Sequence, residues 1–252
     1  MNKIQVGLAS VTFRKKQINE IVSLATKSGV ECIEWGGDIH VKCIDDARVA
    51  RDLCFDSNIK ISSYGSYYRI GCKNIENWRN ICNIACELSA DTIRVWLGEK
   101  SSCETTTQEY NLLIEDAKVI CDIAAEYNIS VSAECHRNTY NDNTDSILKF
   151  KNDVNRHNFK TYFQSVYLNR NLDSDRIVRT KDFCNNVHVS FRDLKREQRH
   201  KRDDPEYIKF IIDELKTNGY TGAVLVEFTR WDSSKCFVSD VDLLKHYILE
   251  SE

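Results

Sequence analysis

The chain is poor in the residues that interrupt or tether a fold. It has one proline and nine glycines among 252 residues, and no stretch is rich enough in Pro, Gly or Ser to act as a linker or low-complexity tract. One domain spanning 1–252 is expected, with ample chain for a core. No apolar run approaches the length needed to span a bilayer. The opening "MNKIQVGLAS" lacks the apolar stretch and small-residue cleavage site of a signal peptide, so a cytoplasmic protein without a membrane partner is expected. Its 11 cysteines are odd in number, scattered, and nowhere form CxxC. That pattern speaks against a disulfide framework or a thiolate zinc site and for reduced core thiols. A net charge of -3 lacks the broad basic footprint of a nucleic-acid binder, and the one basic run, "FRDLKREQRHKRDD" (191–204), reads as a solvated loop.

What the chain does have is alternation. Strand-like runs occur at 4–10, 30–35, 60–64, 92–97, 129–134, 161–165, 187–191 and 223–228. Between them lie stripes of 3.6-residue period, such as Ile18, Ile21, Val22 and Ala25, or Ile208, Ile211, Ile212 and Leu215. "TTQE" (106–109) has capping-box spacing, the lone proline in "DPE" sits where a helix's first turn tolerates it, and Gly29 and Gly219 fall where a left-handed C-cap is wanted. Eight β-then-α units in about 250 residues match a closed (β/α)8 TIM barrel. An open doubly wound sheet is the alternative, but the first turn, "LASVTFRKK", has no glycine-rich phosphate loop.

A barrel builds its active site at the C-terminal ends of its strands. The polar residues there are Ser10, Glu34 with Asp38 and His40, Tyr64, Arg94, Glu134 with His136, Gln164, His188 and Glu227. Glu134, Gln164, His188 and Glu227 belong to the last four strands, so closure would bring them to one mouth. Two carboxylates, an amide oxygen and an imidazole suit a divalent cation, Mn2+ first and Mg2+, Co2+ or Zn2+ after it. A cation would also compensate a carboxylate at the end of a buried strand. Arg94 shares a strand face with Trp96, and an interior arginine either meets an anionic substrate or pairs with a carboxylate such as Glu34. His40 follows two glycines in "WGGDIH" and is a candidate for contact with substrate. His136 is a candidate for supporting a metal ligand or touching what binds there. Arg192, Lys195 and Arg230 follow strands seven and eight, where they could meet an anion.

The order of "IEWGGDIHV", "IRVWLG", "SAECHRN", "YFQS", "VHVSF" and "GAVLVEF" resembles the sugar phosphate isomerase/epimerase family, which has the xylose isomerase-like TIM barrel. The resemblance spans nearly the whole chain. It implies one divalent metal, commonly Mn2+, among a Glu, an Asp, a His and a Glu. By motif these fall on Glu134, Gln164, His188 and Glu227, so the second position departs from the usual Asp. The family's epimerases carry a sugar-binding His shortly after that Asp; Tyr167 stands in roughly its place.

The chemistry so implied is isomerisation or epimerisation of a sugar, or of a related polyol or keto compound, by proton transfer beside a carbonyl. A metal there acts as a Lewis acid, and Glu134 and Glu227 are the natural proton-transfer pair. The partner is then a small sugar or polyol, and homo-oligomers are compatible with this reading. Dehydration of an inositol would use the same parts. One rival is a barrel that has lost its chemistry, keeps only polyol binding, and is signalled by Gln164. Another is a phosphodiester hydrolase of the endonuclease IV kind, which six histidines supply poorly.

Overall fold

Residues 4–165, 168–191 and 205–250 are described by the computed structural model. Each expected strand forms: β1 (Gln5–Ala9), β2 (Cys32–Gly36), β3 (Lys60–Ile70), β4 (Thr92–Leu97), β5 (Ser130–Ala133), β6 (Phe159–Phe163), β7 (Cys184–Val189) and β8 (Ala223–Val226). All neighbours are parallel, and β8 pairs back to β1, closing the barrel in sequence order. Strands covered on both faces read as nearly unbroken apolar runs. "AVLV" of β8 and "CIEWG" of β2 are buried at every position.

A helix follows each strand: α1 (Ile18–Ser28), α2 (Ile44–Asp56), α3 (Ile75–Leu88), α4 (Thr107–Glu126), α5 (Thr144–Val154), α6 (Arg170–Thr180), α7 (Pro205–Thr217) and α8 (Ser234–Leu249). Their ends obey local chemistry. Thr106 and Glu109 form a reciprocal capping box at α4, and Gly29 ends α1 in the left-handed region at φ 65°. The apolar stripes lie inward; Ile208, Ile211, Ile212 and Leu215 of α7 are all buried. Among the described residues no helix is long and apolar enough to cross a membrane.

Two irregularities position the mouth. Between Ile33 and Glu34 the β2–β3 register slips by a residue, so Ile33 faces Ile61 but Glu34 faces Ser63. β3 also runs well past its expected end. It bulges between Gly65 and Arg69, with Tyr67 at φ 58°. An extra residue in a bulge re-aims side chains beside an active site; here it sets the Tyr67 ring against Arg94.

Candidate metal centre

Glu134 and Glu227 each stand one residue beyond a strand yet remain in the ladder. The Glu134 N–H donates to the Val95 carbonyl at 2.9 Å and the Glu227 N–H to the Val189 carbonyl at 2.8 Å. His188 is the penultimate residue of β7 and points inward, with Tyr162 edge-on at 5.2 Å between ring centroids. Glu134, His188 and Glu227 each offer one ligand atom, and those atoms lie within 4.8 Å of one another.

His188 organises the group. Its Nδ1 lies 3.6 Å from Glu134 Oε1 and 3.5 Å from Glu227 Oε2, while Nε2 lies 3.4 Å from Glu34 Oε1. These are ion-pair separations, beyond good hydrogen bonds. Both ring nitrogens are buried without a hydrogen-bond partner among the described residues. Buried polar atoms are seldom left so, and an imidazole flanked by two carboxylates on one nitrogen and backed by a third on the other is how proteins present histidine to a cation. Gln164, His188 and Glu227 also line a cavity of about 30 Å3, room for one water-sized group. The residues present therefore fit a divalent cation. Gln164 is drawn into the group as well: its amide nitrogen donates to Glu134 Oε1 at 3.1 Å and to the Cys135 carbonyl at 2.6 Å. Those two acceptors assign the nitrogen, so any ligand role falls to the amide oxygen.

Arg94 resolves to the carboxylate-pairing alternative. Its Nε donates to Glu34 Oε1 at 3.1 Å and its Nη1 to Glu134 Oε2, with the arginine 2% exposed. Ser63 donates to the other Glu34 oxygen at 2.9 Å, a bond made possible by the register slip in β2–β3. Trp96 donates to Glu134 Oε2 at 2.5 Å. Trp96 also stacks on His136, with centroids 5.1 Å apart, and carries the Arg69 guanidinium 4.0 Å from its own ring centre.

Electrostatics follow from this packing. Burial alone would raise the pKa of Glu34, yet Arg94 and His188 outweigh it and hold the carboxyl down at about 2. Glu134 is lowered in the same way, by Arg94, His188 and Trp96 against burial. Burial opposes a charged His188, but Glu227, Glu34 and Glu134 raise it to about 10. Glu227 is raised, chiefly by burial and further by Glu134, with His188 and Arg94 opposing.

Other candidates sit elsewhere. His40 is buried, its Nδ1 3.0 Å from the Ser10 hydroxyl and its ring edge-on to Trp35; it is not brought to the Glu134 group. His136 stays at the rim on Trp96, its Nδ1 2.6 Å from the Arg137 carbonyl. Arg230 is turned to Asp240 at 2.6 Å. Tyr167, Arg192 and Lys195 lie outside the described residues. The sequence named Glu34 as a strand-end group able to pair with Arg94, and Trp96 as sharing its face, but did not tie either to the Glu134 group. The signal was present for Glu34, a charged residue near a buried strand's end just like Glu134, and for Trp96, which alternates with Arg94.

A closed parallel barrel that gathers acid and imidazole side chains at the C-terminal mouth of its strands is a (β/α)8 barrel with a candidate metal site. The chain belongs to the xylose isomerase-like TIM barrel family, whose model matches residues 22–246. It is 26% identical over 176 residues to a 3-dehydroshikimate dehydratase of Bacillus anthracis, an alignment covering 66% of this chain and 63% of that relative; the chain thus spans less than two thirds of the relative's length. Among solved structures, the "probable 3-DHS dehydratase AsbF" of Bacillus anthracis superposes with a TM-score of 0.77 at 19% identity, over 96% of this chain and 99% of that one. A D-allulose 3-epimerase from Methylomonas sp. gives 0.75 at 14% identity, over 98% and 99%. At those identities the superpositions speak for the fold.

Proposed function

We propose that this chain is a divalent-metal-dependent enzyme, with Mn2+ the preferred ion, that moves a proton beside the carbonyl of a sugar or a related polyol or keto compound. The observation carrying this reading is the cluster of Glu134, His188 and Glu227 ligand atoms within 4.8 Å at the barrel mouth, with Gln164 bonded into it. Glu134, His188 and Glu227, with the Gln164 amide oxygen, would hold a divalent cation, which would supply Lewis acidity to the substrate's carbonyl.

The protein's residues do the rest. Glu34 faces His188 Nε2 at 3.4 Å and so turns Nδ1 toward the two carboxylates. Gln164 and Arg94 fix the Glu134 carboxylate from both sides. Glu227 accepts the C–H proton in this reading, supported by a side chain only 15% exposed and so largely shielded from water. The similarity to a 3-dehydroshikimate dehydratase adds loss of water from a hydroxy-ketone to the isomerase and epimerase chemistry, since all begin with the same proton abstraction. A multi-metal hydrolase finds no support, because one such ligand group occurs among the described residues.

The test is metal content after equilibration with Mn2+ and desalting, followed by solvent-deuterium exchange into D-fructose, D-allulose, D-tagatose and 3-dehydroshikimate. Close to one ion per chain, lost in His188→Ala, with exchange into at least one compound is expected. A wild-type chain that holds no ion at micromolar free Mn2+ sinks the reading and leaves the polyol-binding barrel in its place.

A further inference from the structure

The two carboxylates of the centre are chemically identical and structurally opposite. Both oxygens of Glu134 are engaged. Oε2 accepts from Arg94 Nη1 and from Trp96 Nε1, and Oε1 accepts from Gln164 and faces His188 Nδ1. Arg94 in turn is held at Nε and Nη1, while its Nη2 is buried without a hydrogen-bond partner among the described residues. Glu34 holds its Nε, the Tyr67 ring covers its guanidinium at 5.3 Å, and Gly65 lies so close that an added Cβ would sit 2.8 Å from Nη2. Glu227 has none of this. His188 is its close charged neighbour at 3.5 Å, and no donor hydrogen bond to its carboxylate occurs among the described residues.

Resting on the function proposed above, we propose that Arg94, braced by Glu34, is a positioning residue that reserves Glu134 Oε2 for the protein, leaving Glu134 a one-oxygen metal ligand and Glu227 the proton carrier of the two. A carboxylate whose second oxygen is held by a guanidinium and an indole N–H cannot take a proton there without breaking a buried ion pair. Charge points the same way. Three carboxylates, one guanidinium and a divalent cation sum to zero with neutral His188; without Arg94 the buried centre would carry an extra negative charge.

A single proton carrier works on one face of its substrate. Glu227 takes the proton from the carbon beside the carbonyl, and the C–H electrons form the enolate double bond. Protonated Glu227 then gives that proton either to the adjacent carbonyl carbon, which completes isomerisation once the hydroxyl proton of the first carbon has passed to the former carbonyl oxygen, or to a hydroxyl one carbon further on. In the second case the C–O bond breaks with its electrons and water departs. Either course returns Glu227 to its starting state, and neither inverts a carbon. Inversion needs a second group on the other face, and Arg94 removes the obvious one.

The experiment compares wild type with Arg94→Gln/Glu34→Gln, a pair that keeps net charge unchanged, and with Arg94→Lys, which keeps the positive charge but lacks the fork that reaches both carboxylates. The probe is Mn2+ alone, read by free-ion electron paramagnetic resonance for affinity and by water-proton relaxation for the waters on the bound ion. Freed Glu134 Oε2 should join the ion in the double variant, removing one bound water and tightening Mn2+ about threefold or more; Arg94→Lys should move partway. Folded variants with wild-type water count and affinity would overturn the inference and leave the proposed function standing, whereas a wild type without Mn2+ would overturn both. Deuterium exchange gives the second readout. Incorporation on one face only, without inversion, is expected for whichever compound exchanges, and an epimerised product from wild type would overturn the inference.

Discussion

On the β2–β5 side of the barrel mouth, Glu34, Ser63, Arg94, Trp96 and Glu134 are joined by hydrogen bonds of 2.5 to 3.1 Å and the closer Arg94–Glu134 ion pair. On the β7–β8 side, His188 and Glu227 reach their neighbours only at 3.4 to 3.6 Å. Both sides lie in the same low-dielectric interior and each presents a glutamate to the centre, Glu134 on the first and Glu227 on the second. The difference is the degree of satisfaction: among the described residues the first side leaves Arg94 Nη2 as its one buried side-chain atom without a hydrogen-bond partner, while the second leaves both ring nitrogens of His188 so. A better-paired buried network rigidifies and specifies the core, while a half-satisfied one is tolerated where a ligand completes it. The first side is therefore the part that holds the site still, and the second is the part that waits for something to bind.

Mutations on the two sides should separate along that line. Arg94→Met strands two buried carboxylates, so we expect a loss of about 3–5 kcal/mol in urea unfolding. Glu227→Gln should leave stability unchanged or slightly higher, because it removes a carboxylate crowded by Glu134. Equal losses from the two would erase the contrast. Next in size, His188→Ala should weaken Mn2+ at least about 100-fold, since even residues that only support a ligand cost about 10–100-fold. Equilibrium dialysis with Mn2+ measures this, and retention within tenfold would move the ion elsewhere.

The pH profile sharpens the comparison further. Glu34, held at about 2 against an ordinary 4.5, contributes stability that is complete above 4.5 and is lost as pH falls through about 2. His188, raised from 6.5 to about 10, contributes stability that is complete below 6.5 and is lost as pH rises through about 10. From these two groups, urea midpoints of the metal-free chain should be highest between about 4.5 and 6.5, falling on the acid flank through the paired side and on the alkaline flank through the open one. That maximum is tilted toward its acid end because Glu227, with its raised pKa, costs stability as pH rises above 4.5. Binding of Mn2+ near pH 8 should release up to about one proton per ion, because a ligating imidazole must be neutral. Titration calorimetry in buffers of different ionisation heat counts it, and no release would contradict a charged His188. Smallest of all, Gly65→Ala pushes a methyl to 2.8 Å from Arg94 Nη2 and should cost about 1–3 kcal/mol. A thermal melt equal to wild type would show that Arg94 can shift freely.

Much of the architecture was legible in the residues because its signals are local. Two-residue alternation, 3.6-residue stripes, the Thr106–Glu109 capping box and the Gly29 stop each depend on neighbours in sequence. The candidate ligands Glu134, His188 and Glu227 were legible too, since any strand-end carboxylate or imidazole of a closed barrel must face one mouth. His40 carries a similar local signature, after two glycines near a strand end, but its Nδ1 is turned to the Ser10 hydroxyl and it is not brought to the Glu134 group. Nothing in "WGGDIH" alone distinguishes a side chain that joins that group from one that does not.

The sequence by itself determined the barrel, the order of its strands and the set of groups that could reach its mouth, because periodicity and chain order leave few ways to bury these stripes. Only the tertiary structure decided which groups are already spent. The Glu34–Ser63 bond comes from a one-residue slip between β2 and β3, and the ion pairs of Arg94 span 60 residues to Glu34 and 40 to Glu134. Such contacts exist only once the barrel has closed, and they divide Glu134 from Glu227, two glutamates that look alike in the chain.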